Sequence, residues 1–302
     1  MDALHGILNL YKPVGPTSHD CVARARRILG TRRVGHAGTL DPMASGVLVM
    51  GIGSGTRILE YLQGFPKTYR ARMRLGITTD TQDTTGQVLT ETDAAAVTEP
   101  QVREVLARFS GPILQVPPMV SALKVGGKKL YELARRGETI EREARPVTVY
   151  RLDLLSFTPG PRPEAELRIE CSGGTYVRTL CHDAGAALGV GAAMSALERE
   201  AVGPFRAEDA VRLEDLTPET PLVPLAEGLV HLPTVRLGAE EARRLAQGQF
   251  VPAPEGAPDG PVRVLDGGGI LQAIAIVRGH GEARLLAPEK VFVGADAAST
   301  GA

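Results

Sequence analysis

Residues 68–76 read TYRARMRLG. Tyr69, Ala71, Met73 and Leu75 alternate with Arg70, Arg72 and Arg74, a period of two that an extended strand converts into one packed face and one cationic face. Outward from this stretch, GVLVMGIG (46–53) is an apolar run short enough for a buried strand, and HGILNLYKP (5–13) is a strand ended by Pro13. Further along, VTVYRLDLLSF (147–157) and AELRIECSGG (165–174) read as strands bounded by glycine and proline. Helices are interspersed. In GPTSHD (15–20), Thr17 or Ser18 can cap a helix running to about Leu29, where Gly30 stops it. A second helix is expected over about 99–109, a third near 129–136, and YVRTLCHDAGAALG (176–189) gives a fourth, ended by Gly189. TTDTQDTTG (78–86) reads as a turn and PILQVPP (112–118) as a proline-rich break. Strands and helices without strict alternation predict an α+β fold on a largely antiparallel sheet.

With 302 residues, 43% hydrophobic and 23% charged, the chain can bury one full core and a small second one. No apolar run approaches the roughly 20 residues that cross a bilayer, and MDALHGILNLYKP lacks the features of a secretory signal, so a cytoplasmic protein with no membrane contact is expected. Cys21, Cys171 and Cys181 form no CxxC pair, which argues against a disulfide framework or zinc ribbon; reduced thiols are expected, with Cys21 and Cys171 buried. The net charge of −1 is unevenly spread. Residues 1–75 carry eleven Lys/Arg against four acids, and Lys124, Lys128, Lys129, Arg135 and Arg136 follow. Such concentration suits a polyanion-binding face, the alternative for any single run being a solvated helix face.

Near residue 225 the character changes. LPTVRLGAEEARRLAQGQFV (232–251) predicts a strand and an amphipathic helix, and VRVLDGGGILQAIAIVRG (262–279) and EARLLAPEKVFV (282–293) predict short strands around turns. The expected organisation is a larger unit over 1–225, a small β-rich unit over 226–294, and a disordered tail over 295–302.

Within GHAGTLDPMASG (35–46), Asp41 stands among glycines and small residues. Pro42 biases it toward extended backbone and the following apolar strand anchors the loop, a setting suited to a chemically active carboxylate. An isolated Asp-Pro is more often a turn residue capping its own backbone. Three further patterns are weak. GIGSGT (51–56) lacks dinucleotide-loop spacing, which disfavours a nucleotide-cofactor oxidoreductase. Cys171, Cys181 and His182 lack zinc spacing, and DTQDTTG misses the EF-hand pattern, so no metal and no cofactor are expected.

Five ordered segments decide the meaning of Asp41. GILNLYKPVGPTSHDCV, RRVGHAGTLDPMASGVLVMGIGSGTRI, KTYRARMRLGITTDTQDTTG, PPMVSALKVGGKKLYELARRG and CSGGTYVRTLCHDAGAALG resemble the successive motifs of bacterial tRNA pseudouridine-55 synthases, the TruB family, over about residues 5–293. The closing segment resembles that family's C-terminal PUA-type RNA-binding domain. The resemblance implies a pseudouridine-synthase-type α+β catalytic domain, a small PUA-like domain, and isomerisation of uridine 55 in the TΨC arm of tRNA, with the base flipped out of its stack.

By the same resemblance Asp41 is the catalytic nucleophile. Tyr69 stacks on the uracil and is a candidate base for the C5 proton, and Arg178 pairs with Asp41 through its planar fork. His36 fills the space of the displaced nucleotide, while Tyr176 and Leu197 line the uracil pocket. Lys12 and Lys124 bind phosphates or support the fold. No protein partner is implied, and a monomer is the default. Two alternatives share features of this reading: a catalytic subunit of an RNA-guided pseudouridylation complex, and a non-enzymatic tRNA-binding or folding-assistance protein.

Overall fold

The structure, a computed structural model, describes residues 4–121, 124–125, 128–129, 140–279 and 284–292, with the two short stretches given as backbone alone. Most of the expected helix near 129–136 and the whole tail over 295–302 lie outside them. The chain begins with β1 (Gly6–Lys12), α1 (Ser18–Ile28), β2 (Val34–His36) and β3 (Ala44–Ile52), then a 3-10 turn over Gly53–Ile58 and α2 (Leu59–Gln63). Next come β4 (Lys67–Leu75), β5 (Ile77–Thr79), β6 (Val88–Glu91), α3 (Glu99–Ala107) and β7 (Gly111–Gln115). A minimal hairpin of β8 (Lys124–Val125) and β9 (Lys128–Lys129) precedes β10 (Arg145–Thr158), β11 (Glu164–Cys171), α4 (Val177–Ala187) and β12 (Ala192–Val202). The short β13 (Phe205–Arg206), β14 (Val211–Arg212) and α5 (Leu225–Gly228) lead to β15 (Thr234–Arg236), α6 (Ala239–Ala246), β16 (Val251–Pro252), β17 (Gly260–Leu265), β18 (Leu271–Arg278) and β19 (Leu285–Val291).

Ten strands form one sheet in the order β14-β1-β3-β12-β4-β11-β10-β7, with β13 added on β12 and β2 on β3. Its pairings are antiparallel except β1 with β14 and β3 with β12. A second sheet runs β15-β17-β18-β19-β16. This is the α+β, mainly antiparallel architecture the sequence predicts.

The apolar run of β3 is explained by burial on both faces. Leu48 and Met50, with Leu8 and Leu10 of β1, pack under Cys21, Val22 and Ala25 of α1. Val47 and Val49, with Ile7, face Ile58 and Leu62 on the opposite side, where Leu265, Leu271, Ile274 and Phe292 of the second sheet join the same core. A third core lies under α3 and α4, against Ala71, Met73 and Leu75 of β4 and Leu167 and Ile169 of β11. All three cysteines are buried thiols.

Thr17 is the residue that caps α1, through a capping box with Asp20. The PILQVPP segment differs from its reading as a break. Residues 111–115 are an edge strand, and Pro112 is tolerated because β7 pairs only with β10, the position where a missing N–H does least harm. The first two residues of GIGSGT end β3 and the other four open the 3-10 turn, which tucks against β1 and carries Arg57 to the backbone of Val291.

The basic surplus also changes meaning. Arg70, Arg72 and Arg74 on the outer face of β4 meet Glu164, Glu166 and Glu200 from β11 and β12, while Lys12 and Lys67 are buried. Outside these ion pairs stands an exposed cluster on α1 and the turn after it, including Arg24, Arg27, Arg32 and Arg33. Among the described residues no helix is long and apolar enough to cross a membrane.

Candidate active site

Asp41 stands on the loop between β2 and β3, and three other parts of the chain bond the backbone of that loop. The Ser18 hydroxyl of α1 donates to Leu40 O (3.0 Å) and accepts from Leu40 N (2.9 Å). Gly15 N donates to Pro42 O (2.8 Å), and Ala44 N donates to the carbonyl of Asp41 itself (3.0 Å). From β12, Arg199 donates to Gly38 O (3.0 Å), Thr39 O (3.3 Å) and Val47 O (2.7 Å). Gly46, at φ +104°, closes the loop where a Cβ would lie 2.2 Å from the Arg199 carbonyl oxygen, so the parallel approach of β3 to β12 requires glycine. The loop is therefore held from several sides, and its one ionisable side chain is that of Asp41.

That carboxylate meets Arg178 from the first turn of α4, Nη2 lying 3.3 Å from Asp41 Oδ2. Arg178 is only 6% exposed and Asp41 36%, so the cation is buried and the anion opens to the cavity. Nη2 of Arg178 also donates to Val120 O (2.6 Å), and Nη1 lies 3.5 Å from Asp83 Oδ2. One buried guanidinium thus bridges two carboxylates. Asp83 is a residue that sequence reasoning placed only in a turn.

The cavity in front of Asp41 has a volume of about 510 Å3, in the range of small-molecule sites. Tyr69, Tyr176, Leu197 and His36 all line it. Tyr69 projects from the inward face of β4, and burial raises its phenol above the ordinary value, while the Arg199 guanidinium beside it pulls the other way. A neutral phenol is the resting form, which works against its serving unaided as a base. His36 is driven down to about 4 by burial, then by the neighbouring charges of His19 and Arg199. Its ring is neutral at pH 7, packs edge-on against His19 at 5.7 Å, and accepts from Gly38 N at Nδ1. Tyr176 is fixed by Gln115, whose side-chain amide accepts from its N–H (2.7 Å) and donates to its carbonyl (3.0 Å).

Of the two roles read for Lys12, phosphate contact and support of the fold, its surroundings favour the second. It is fully buried, donates to Pro13 O (2.8 Å) and faces Pro42 O (3.5 Å), so it supports the Asp41 loop and presents nothing to a ligand. Lys124 lies in β8, whose side chains are outside the described residues.

Two cations of the cavity escaped sequence reasoning. Arg199 is one, buried on β12, donating to three backbone carbonyls and standing beside the Tyr69 hydroxyl. Lys67 is the other, donating to Gln63 O (2.9 Å) and Phe65 O (3.1 Å) and held down to about 8 by burial and the nearby Arg199 charge. Lys67 lies in the quoted KTYRA segment two residues before Tyr69; the period-two pattern puts both on one face, which was the available signal.

An arginine-held carboxylate on a braced loop at the wall of a cavity of small-molecule size marks a candidate site, and comparison with known proteins gives the class of the protein. Residues 26–177 match the TruB family pseudouridylate synthase N-terminal domain, residues 178–221 the tRNA pseudouridylate synthase B C-terminal domain, and residues 233–292 the C-terminal domain of pseudouridine synthase II TruB. The chain belongs to the TruB family of pseudouridylate synthases, and it is an isomerase.

Among its relatives, the tRNA pseudouridine synthase B of Symbiobacterium thermophilum is 52% identical over 244 residues, covering 80% of this chain and 82% of that one. The protein of the same name from Moorella thermoacetica is 44% identical across 95% of this chain and 99% of its own. Of solved structures, an H/ACA RNP bound to a substrate RNA containing 2'-deoxyuridine superposes with a TM-score of 0.74 at 27% identity, covering 96% of this chain and 86% of that one.

Proposed function

We propose that the chain converts uridine 55 in the TΨC arm of tRNA to pseudouridine as a stand-alone monomeric enzyme of the cytoplasm, with Asp41 as its nucleophile. The observation that carries this reading is the placement of Asp41: a single cavity-facing carboxylate on an immobilised loop, anchored by a buried arginine and set among the rings of Tyr69, Tyr176 and His36. The names shared by the 52% and 44% identical relatives support tRNA as the substrate.

In the reaction the uracil N1–C1′ bond breaks, the ring turns, and C5 bonds to C1′; the C5 proton leaves and N1 gains one, so substrate and product are isomers. A carboxylate that adds covalently divides this exchange into two easier steps. Arg178 orients Asp41 for it. The target base must first leave its stack, at a cost of roughly a few kcal/mol. A neutral His36 ring suits the vacated space, since it brings an aromatic face without a charge to desolvate. Tyr69 and Leu197 then bracket the uracil; the Tyr69 hydroxyl gives its proton to N1, and the phenolate so formed, stabilised by Arg199, takes the proton from C5, which restores the phenol. The exposed arginines of α1 lie ready for phosphates. Residues 226–294 act as a PUA-like unit that grips tRNA away from the cavity, and residues 1–225 as the catalytic unit.

Unmodified tRNA labelled with tritium at uracil C5 tests the proposal. Release by the purified protein alone, abolished by Asp41→Asn, is the expected result. Release only on addition of a guide RNA and partner proteins would overturn the stand-alone reading, and tight tRNA binding with no release would make the protein a binding module.

A further inference from the structure

Among the described residues, Gln82 is the one non-glycine residue in the left-handed region, with φ +65°. It immediately precedes Asp83 in the TTDTQDTTG loop. Strain of this kind persists only where the surroundings impose it, and here they do so from two sides. Gln82 O accepts from Met194 N (3.1 Å) and Thr84 N donates to Met194 O (2.9 Å), so β12 clamps the loop backbone. The side chain goes the other way: Oε1 of Gln82 accepts from the Thr179 hydroxyl at 2.6 Å. Thr179 is buried and directly follows Arg178 in α4. Two successive loop residues, Gln82 and Asp83, therefore engage two successive helix residues, Thr179 and Arg178.

The second of these contacts is the slack one. Asp83 Oδ1 is filled within its own loop by the Thr81 and Thr85 hydroxyls and by Thr85 N, leaving Oδ2 for Arg178 Nη1 at 3.5 Å. Arg178 reaches Asp41 at 3.3 Å, and its Nε is buried with no partner. At such distances the aim of the guanidinium depends on how the loop is seated against the helix, and the short Gln82–Thr179 bond is the contact that seats it. We propose that Gln82 is a positioning residue for the isomerisation: by latching the loop to Thr179 it holds Asp83 where it turns Arg178 onto Asp41. The inference rests on Asp41 being the reacting carboxylate.

Gln82→Gly tests it cleanly, because glycine accepts the left-handed backbone without strain while the amide is lost. Thr179→Val removes the same bond from the other end with little change of shape. Each is expected to lower kcat about tenfold with KM for tRNA within about twofold, since a small misplacement at a reacting group costs rate rather than binding. The double variant should be no worse than either single one, and Gln82→Gly in an Asp83→Asn background should cost nothing further. Thermal unfolding of Gln82→Gly should match or exceed that of the parent.

An unchanged kcat in Gln82→Gly overturns the latch, as does a loss that adds fully to that of Asp83→Asn, or a rise in KM at constant kcat. Asp41→Asn is run alongside. If it keeps turnover, the reading of Asp41 fails and takes the latch with it; if it is inactive while Gln82→Gly is unimpaired, the latch alone fails.

Discussion

Five arginines of the large sheet and its helices divide into two groups. Arg70, Arg72 and Arg74 stand on the outer face of β4, 41–53% exposed, each within 4 Å of Glu164, Glu166 or Glu200. Arg178 and Arg199 are buried, one between two carboxylates and a carbonyl, the other among two carbonyls of the Asp41 loop and one of β3. An exposed pair gains little over water, about 0–1 kcal/mol. A buried cation whose partners are also buried leaves those partners orphaned when removed, at about 1–3 kcal/mol for each unsatisfied group. The proposed function rests on the second kind, because only fixed dipoles and charges would remain in place as a base entered.

The sharpest way to break the contrast is at the carboxylate that the buried group serves. Asp41→Asn keeps size and hydrogen bonding but abolishes the nucleophile, and turnover should fall at least about a thousandfold with the fold intact, measured by single-turnover tritium release. Substantial residual rate would place the chemistry elsewhere. Next in size is Arg199→Met, which keeps the aliphatic stem and strands the carbonyls of Gly38, Thr39 and Val47. It should cost about 3 kcal/mol in urea unfolding, part of the orphaning penalty being relieved by water from the cavity. A cost below about 1 kcal/mol would mean that Ser18 and Lys12 hold the loop without it.

What could be read in advance follows the range of the interactions involved. Alternation at β4, the apolar run of β3 and the glycine ends of α1 and α4 are local, and the structure has all of them, with Gly30 and Gly189 at φ +62° and +77°. Strand β12 was not legible. Its sequence, AAMSALEREAV, is rich in alanine and glutamate, which favour helix, and it becomes a strand because it is inserted between β3 and β4, with two register shifts. Since Arg199 lies on β12, its burial was hidden too. Asp83 was hidden for the same reason: its partner Arg178 is brought to it only by the tertiary fold. Counting charge along the chain likewise overstated the polyanion face, because pairing across β4, β11 and β12 is invisible to a count. Asp41, Tyr69, Arg178, His36 and Tyr176 were found through the resemblance of whole motifs, whose order encodes the long-range contacts that spacing alone lacks.

Two smaller effects sharpen the same contrast between buried and exposed charge. His36 lies at about 4 against an ordinary 6.5, so above pH 6.5 it is neutral in folded and unfolded chain alike. As pH falls from 6.5 toward 4 the unfolded chain takes up a proton that the folded protein refuses, and stability declines by at most about 1.4 kcal/mol per pH unit from this group. His36→Phe should flatten that part of the profile in urea midpoints taken at pH 7 and pH 5; parallel profiles would show that the ring titrates normally in the fold.

Smallest of all should be Arg72→Ala. Its partner Glu164 lies 3.8 Å away and is also reached by Arg74 at 2.7 Å, so the carboxylate keeps a cation when Arg72 is lost. The expected change is within about 0.5 kcal/mol in urea unfolding, diminishing further in 0.5 M salt, with tritium release unaffected. A tRNA KM that rises severalfold while stability holds would show that the outer face of β4 meets RNA after all. The paired arginines would then count toward the polyanion-binding surface, and the division between charges that build the site and charges that merely solvate the sheet would have to be redrawn at β4.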